Sequence, residues 1–182
     1  MKKPELLAPA GSFEKAKVAF MYGADAVYCG TASLSLRSRA EVDDNDLEKT
    51  IKYAHSIGKK VYAALNIYAW DTNYEEIEKQ VKMLDEVHVD AIIASDGGVI
   101  QKIREIAPNI EIHVSTQANV VSYHAAKFWY DNGAKRVILG RETSKDQIQE
   151  IMKNKPEDLE VEMFIHGALC WAYSGRCFLS EY

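Results

Sequence analysis

The sequence is poor in cysteine and has no long apolar run. Its three cysteines are an odd number in 182 residues, which argues against a disulfide framework. No apolar run approaches membrane-spanning length, and the N-terminal stretch is too short and too interrupted by proline for a signal peptide. We therefore expect a cytoplasmic protein with reduced thiols and no membrane span.

An excess of positive charge is also missing. The formal net charge is -5, and Lys and Arg are scattered singly among Asp and Glu, so no basic stripe indicates nucleic-acid binding by electrostatics alone. No DNA partner is expected, and an RNA partner would need separate evidence. Low-complexity segments and linkers are absent too, which predicts a single domain over residues 1–182.

Short apolar, β-branched runs alternate with amphipathic stretches along the chain. Ser12 and Ser144 each precede such a stretch, as N-cap residues precede helices. Alternating strands and helices require crossover connections and hence a parallel sheet, either doubly wound or closed as a barrel. The runs predicted to be buried strands are residues 5–11, 24–30, 59–67, 90–96, 111–117, 135–141 and 159–167.

Polar residues stand where several predicted strands end. Catalytic groups of parallel α/β folds lie at the carboxyl ends of the strands, so the pattern favours an α/β, TIM-barrel-like (β/α) domain with a polar mouth. A closed barrel takes eight strands and we find seven. We interpret the chain as an incomplete barrel, a fragment of a longer protein, and expect a gap between its first and last strands.

Residues 162–180 read EMFIHGALCWAYSGRCFLS, and two cysteines flank a glycine-containing turn in this stretch. The stretch resembles the signature of the collagenase-like peptidases, peptidase family U32. Upstream, ELLAPAGS (5–12), GADAVYCG (23–30) and GRETS (140–144) also resemble blocks of that family, so the similarity covers essentially the whole chain. The matching signature positions are Glu162, Phe164, Gly167, Ala168, Leu169, Cys170, Gly175, Cys177, Leu179 and Ser180.

The resemblance implies a barrel-like N-terminal domain and two different activities. The family is named for metal-dependent, collagenase-type proteolysis. Better-characterised relatives look like oxygen-independent hydroxylation factors for tRNA uridine, ribosomal RNA or ubiquinone precursors, and several carry a four-iron, four-sulfur (4Fe-4S) cluster on four cysteines. By position, Cys170 and Cys177 match two of those ligands, with the others expected beyond residue 182. The tRNA-hydroxylating branch further implies prephenate as a cosubstrate.

The residues themselves leave other interpretations open. The cysteine pair could be two small buried hydrophobes or a zinc site, although the spacing is wider than a usual zinc knuckle. Cys29 lacks a motif partner and is expected in the core. Peptide hydrolysis would need an activated nucleophile or an open metal site, and neither H-E-x-x-H nor G-x-S-x-G occurs. A metal-dependent peptidase and a non-catalytic barrel that binds a partner subunit remain the alternatives.

Our main hypothesis is hydroxylation of an RNA base, in tRNA or rRNA, or of a small-molecule substrate. Side-chain alternation places Glu162 and His166 on one side of the last strand, facing the mouth. Guanidinium groups bind carboxylates bidentately, as a dicarboxylic cosubstrate would require, although Arg141 and Glu142 could instead be scaffolding. The predicted catalytic residues are Glu162, His166 and Glu142, the predicted substrate-binding residues are Arg37, Arg141, Ser115, Gln117 and Asn66, and the predicted metal ligands are Cys170 and Cys177.

Overall fold

The computed structural model describes residues 3–31, 34–35, 41–167, 170 and 172–175. The predicted site residues Arg37 and Cys177 lie outside these ranges. The strands are β1 (Leu7–Pro9), β2 (Ala26–Thr31), β3 (Glu41–Val42), β4 (Lys60–Ala64), β5 (Ala91–Ala94), β6 (Glu111–Val114), β7 (Arg136–Ile138) and β8 (Glu160–Glu162). The α-helices are α1 (Phe13–Met21), α2 (Asp44–Ser56), α3 (Tyr74–Glu86), α4 (Gly97–Ile106), α5 (Tyr123–Asp131) and α6 (Lys145–Asn154).

The strands form one parallel sheet in the order β1-β2-β4-β5-β6-β7-β8. Each of these strands corresponds to one of the seven predicted runs, which confirms the TIM-barrel-like α/β fold. The sequence did not predict β3, which pairs with β2 at Gly30 and Thr31. Two residues are too few to produce a periodicity that could be read from sequence.

The sheet is a half-barrel with an open side. In the described part of the chain, β1 and β8 stand at opposite ends of the strand order and do not pair with each other. The expected gap between the first and last strands is therefore confirmed. Each of these strands pairs on one side only, β1 with β2 and β8 with β7.

The main core fills the layer between the strands and the helices. Outward-facing strand residues such as Val27, Cys29 and Ile92 are almost completely buried there against helix residues such as Ile77 and Leu84. Each fully buried aliphatic side chain contributes about 1.5–3 kcal/mol. The strands are also covered on the lumen side, so both of their faces are buried. Their sequences therefore do not alternate between apolar and polar residues, as is usual in parallel sheets.

The strands that end at the site are shorter than the sequence predicts. The predicted run 111–117 ends as a strand at Val114, and residues Thr116–Ala118 form a 3₁₀ turn. The run 159–167 ends as a strand at Glu162, so the placement of His166 on a strand was wrong. Beyond Ile138, the neighbouring strand β7 no longer supplies ladder partners for an extended β8, and this accounts for the early end.

Candidate functional site at the carboxyl ends of the strands

Three of the predicted mouth residues lie in contact beyond the ends of β4 and β6. The amide nitrogen of Asn66 is 3.2 Å from Gln117 Oε1 and 3.5 Å from Ser115 Oγ. Ser115 also donates a hydrogen bond to Gln117. Asn66 follows β4 and the other two follow β6, so the parallel arrangement brings the three side chains together as predicted.

The turn that follows Cys170 is held against the loop after β7. Ser174 is almost completely buried, with 1% exposure, and its Oγ accepts a hydrogen bond from the backbone nitrogen of Arg141 at 3.1 Å. The guanidinium of Arg141 donates through Nη2 to the carbonyl oxygen of Ala172 at 2.9 Å. One residue thus holds the turn at two points.

Glu142 and Asn119 hold the same turn from a second side. Glu142 Oε2 accepts from the backbone nitrogen of Ser174 at 3.4 Å. With its amide nitrogen facing these acceptors, Asn119 donates to Glu142 Oε1 at 2.6 Å and to the carbonyl oxygen of Ser174 at 3.0 Å. Asn119 has a φ of 56°, a left-handed conformation that Asn tolerates better than most residues.

Gly175 connects this turn to the loop after β6. Its φ is 69°, and a Cβ at this position would overlap the carbonyl oxygen of Gln117. A residue with a side chain would therefore be unfavourable both in conformation and in space. The close approach places the turn beside the Asn66, Ser115 and Gln117 group, at one edge of the sheet.

The two described cysteines lie in opposite environments. Cys29 is buried in β2, and burial raises the pKa of its thiol to about 12, so it stays protonated at neutral pH. Cys170 is exposed, close in sequence to the turn. In the described part of the chain, no group of three or more Cys, His, Asp and Glu side chains is arranged to hold a metal ion. The role of Cys170 as a metal ligand stays a prediction.

Glu162 lies within the barrel lumen, where it contacts Arg136. Arg136 Nη1 donates to Glu162 Oε2 at 3.2 Å and to Glu5 Oε1 at 2.8 Å, and Nε donates to Glu160 Oε2 at 2.9 Å. The Arg136 side chain is only 7% exposed. Because Glu5 precedes β1 while Glu160 and Glu162 lie on β8, Arg136 links the two sides of the barrel opening.

Arg136 and the three glutamates around it form what we call the lumen cluster, and their contacts shift the pKa values of two of the glutamates. Burial raises the pKa of Glu162, although the charge and hydrogen bond of Arg136 oppose the shift. Burial also disfavours the charged form of Glu160, but the hydrogen bond and charge of Arg136 outweigh it and lower the pKa of Glu160. Glu162 is thus the carboxyl of this cluster that retains a proton more readily than an ordinary glutamate.

His113 and Tyr62 complete the lumen cluster. Their rings meet edge to face with centroids 4.6 Å apart, and the Arg136 guanidinium lies 5.1 Å from the Tyr62 ring centroid. His113 is fully buried, and among the described residues neither ring nitrogen has a hydrogen-bond partner. Its Nε2 is 3.6 Å from Glu111 Oε2, and burial lowers the pKa of His113.

The sequence matches the profile of peptidase family U32 over residues 11–182. The chain belongs to peptidase family U32. The resemblance found in the cysteine-containing stretch is therefore confirmed, together with the resemblance of the upstream blocks.

Curated relatives match the chain in sequence, and a solved structure matches it in fold. A tRNA hydroxylation protein P of Haemophilus influenzae is 49% identical, over 99% of this chain and 39% of that protein. A 23S rRNA 5-hydroxycytidine C2501 synthase of Escherichia coli is 38% identical, over 97% of this chain and 26% of that protein. The chain thus spans well under half of either relative. The structure of a U32 peptidase aligns with a TM-score of 0.71 at 13% identity, over 88% of this chain and 70% of that one, and shows the shared fold.

The described site residues predicted for this U32 chain form two groups, and His166 and Glu162 lie apart from them. Asn66, Ser115 and Gln117 meet at the mouth, and the carboxyl end of β7 presents Arg141 and Glu142 to the Cys170 turn. His166 is exposed, and Glu162 lies in the lumen, where it contacts Arg136. The roles assigned to these residues remain predictions.

The sequence analysis missed Asn119, Ser174 and Arg136. A signal existed for the first two, since Asn119 closely follows a predicted mouth residue and Ser174 lies between the cysteines. Arg136 stands near the start of the predicted strand 135–141, between Lys135 and Val137, and carried no comparable signal.

Two clefts lie at opposite ends of the sheet. A cleft of about 100 Å³ at the carboxyl end is lined by residues of the β7 loop, α6 and the segment after β8, including Arg141, Met163 and Phe164. A larger one of about 360 Å³ is lined by Lys60, His88, Asp90 and Glu111 near the amino ends of the strands. Reactions in barrel folds take place at the carboxyl ends, so we assign the site to the smaller cleft and its surroundings.

None of the helices in the described ranges is long and apolar enough to cross a membrane.

Proposed function

We propose that this U32 chain is the barrel part of a protein that hydroxylates an RNA base, of the tRNA uridine type, with a 4Fe-4S cluster. The observation that carries the proposal is the exposed Cys170, which lies next to a turn held at the barrel mouth. The names of the relatives, which concern hydroxylation of tRNA and 23S rRNA, support the choice of reaction and substrate. An enzyme that modifies RNA would work in the cytoplasm.

The contrast between the two described thiols supports a role for Cys170 as a ligand. Iron–sulfur clusters are held by thiolates, and burial raises the pKa of Cys29 to about 12, which opposes thiolate formation there. Cys170 is exposed, so a cluster could reach its sulfur without disturbing the core. Cys177 would be the second ligand, and further cysteines outside residues 1–182 would complete the set. When bound, such a cluster would supply one-electron redox chemistry.

The side chains near the turn suit an RNA base better than an RNA backbone. Phe164 and Tyr173 are exposed, at 44% and 71%, and Ile165 beside them is exposed too. Single-stranded bases are recognised largely by stacking on aromatic side chains. The net charge of -5 makes general attraction of phosphates weak, so we expect stacking at the mouth to contribute more of the recognition within this domain.

The polar side chains have separate proposed tasks. Glu162 would hold or deliver a proton, because burial raises the pKa of its carboxyl. Asn66 and Gln117 offer amide groups to an uncharged substrate edge. An anionic cosubstrate such as prephenate would have to use the remaining N–H groups of Arg141, since one already binds Ala172.

The proposal is tested with the longest polypeptide that the gene encodes, purified anaerobically. We expect brown protein with iron and sulfide, and restored hydroxylated nucleosides in the RNA of a strain that lacks the gene. Cys170→Ala should lose both the iron and the modification. The matched control Cys29→Ala should keep both if it folds, since Cys29 packs in the core. Full iron content in Cys170→Ala would contradict the ligand assignment.

The same preparation tests the two alternatives. Cleavage of gelatin that a chelator abolishes would favour the metal-dependent peptidase. Absence of both activities together with a stable complex with another subunit would favour the partner-binding barrel.

A further inference from the structure

We propose that Arg141, Glu142 and Asn119 are positioning residues, which fix the turn Tyr173–Gly175 across the carboxyl ends of β6 and β7 and so set the location of the Cys170 thiol. This inference rests on the proposed function, because it assigns these residues to the support of a cluster ligand. We call this turn together with Ala172, residues 172–175, the thiol turn.

The bonds from Arg141 fix the thiol turn at separated points. The backbone nitrogen of Arg141 binds Ser174 Oγ at 3.1 Å, and its guanidinium binds the carbonyl oxygen of Ala172 at 2.9 Å. Two attachments to atoms two residues apart oppose rotation as well as translation of the turn. The first of these bonds comes from the backbone, so it persists in Arg141 variants, whereas the second depends on the side chain.

The buried backbone of Ser174 explains why Glu142 and Asn119 are needed. Ser174 is 1% exposed, and a buried backbone group without a partner is costly. Glu142 accepts from its nitrogen at 3.4 Å, and Asn119 donates to its carbonyl oxygen at 3.0 Å and to Glu142 at 2.6 Å. Glu142 and Asn119 therefore satisfy the N–H and the carbonyl group of Ser174, and they are also hydrogen-bonded to each other.

Gly175 shows that the placement of the thiol turn is specific. A Cβ there would overlap the Gln117 carbonyl oxygen, and the φ of 69° disfavours a side chain. The backbone of the turn therefore rests directly on the loop after β6. Cys170 precedes this fixed point by a few residues, so the range of positions open to its sulfur is limited by the length of the intervening chain.

Positioning and catalysis by Glu142 make different demands on its chemistry. In Glu142→Gln the single amide oxygen can take the place of Oε2 and accept from the Ser174 nitrogen. The new NH2 group can donate to Asn119 once that amide turns its oxygen toward it, whereas the side chain can no longer act as an acid or base. Glu142→Gln should therefore preserve a positioning role and abolish a catalytic one. Arg141→Lys likewise keeps a donor that can reach Ala172.

The first measurement is hydrogen exchange of the peptide containing residues 172–175, in iron-free protein. We expect Arg141→Ala and Glu142→Ala to exchange roughly fivefold to tenfold faster there than wild type, the factor that one hydrogen bond corresponds to. Glu142→Gln and Arg141→Lys should stay within about threefold of wild type. The matched control is Arg104→Ala, because Arg104 also donates to a backbone carbonyl, that of Asn132 at 3.1 Å, on a loop without cysteine.

The second measurement is iron per chain after anaerobic loading of the same variants. Arg141→Ala and Glu142→Ala should lose at least half of the iron, while Glu142→Gln and Arg104→Ala should keep it. If Arg141→Ala does not fold, Gly175→Ala and Glu142→Ala serve as the loosened variants.

The outcomes separate this inference from the proposed function. Unchanged exchange and iron in Arg141→Ala and Glu142→Ala, with iron present in wild type, would overturn the positioning role and leave the cluster intact. Absence of iron from wild type would overturn the cluster, while the exchange data would still decide whether these residues hold the turn. Glu142→Gln with normal exchange and iron but no RNA modification would show that Glu142 is catalytic, against the inference.

Discussion

Replacement of Arg136 by Met should destabilise the protein strongly at neutral pH. Arg136 is 7% exposed and faces the carboxylates of Glu5, Glu160 and Glu162, whose side chains are 28%, 47% and 19% exposed. The half-exposed pair with Glu160 contributes little. Without the guanidinium, the carboxylates of Glu162 and Glu5 stay in a partly buried site with no cation beside them. Removal of one partner from a buried ion pair costs about 3–5 kcal/mol of unfolding free energy.

The loss should depend on pH, and its sign follows from the carboxyl groups. The folded-state pKa of Glu162 lies above its ordinary 4.5, so its contribution to stability is full at low pH and is lost as the pH rises through the folded pKa. Arg136 opposes this shift, so Arg136→Met raises the pKa further. The folded-state pKa of Glu160 lies below 4.5, and its contribution is lost as the pH falls through that value. Both effects make the variant approach wild type as the pH decreases.

Thermal and urea unfolding at about pH 7.5 and about pH 5 measure both expectations. At the higher pH we expect Tm to fall by roughly 6–20 °C, with a smaller fall at the lower pH. The triple variant Arg136→Met, Glu160→Gln, Glu162→Gln should recover much of the loss, because no unpaired charge remains on β7 and β8. The exposed Arg104→Met is the control; it loses one exposed hydrogen bond, to Asn132, and its change should stay within about 1 kcal/mol. An Arg136→Met Tm equal to wild type, or a loss that grows on acidification, would refute the reasoning.

Three further predictions concern single buried or strained positions. Iodoacetamide at mildly alkaline pH should modify Cys170 and spare Cys29, whose pKa is raised to about 12, as mass spectrometry of the folded protein will show; equal labelling would contradict the burial of Cys29. Replacement of His113 by Phe keeps the ring against Tyr62 and removes two nitrogens without hydrogen-bond partners. The folded-state pKa of His113 lies below its ordinary 6.5, so the wild-type protein loses stability as the pH falls below that value. The variant should therefore resist acid unfolding better than wild type, and an unchanged pH profile of Tm would argue against this. Gly58→Ala should cost about 1–2 kcal/mol, because φ is +67° and no atom lies within 4 Å of an added Cβ; a Tm equal to wild type would show that the turn relaxes freely.

The order and type of the elements were predictable because they depend on local patterns. Seven apolar runs and the Ser12 and Ser144 caps can be read within windows of a few residues, and both serines accept the expected backbone hydrogen bonds. Strand ends were less predictable. The pattern in residues 159–167 continues past Glu162, but a strand persists only while a neighbour offers ladder partners, and that neighbour is distant in sequence.

The sequence by itself determined the family, the parallel α/β architecture and the cysteine-containing stretch, since each depends on residue types at short and fixed spacings. Only the tertiary structure decided which polar groups meet. Arg136 and Glu5 are separated by 131 residues and Ser174 and Arg141 by 33, and no local periodicity encodes such pairs. They are brought together by the curvature of the parallel sheet, because parallel strands align their ends at one edge and turn alternate side chains into one lumen.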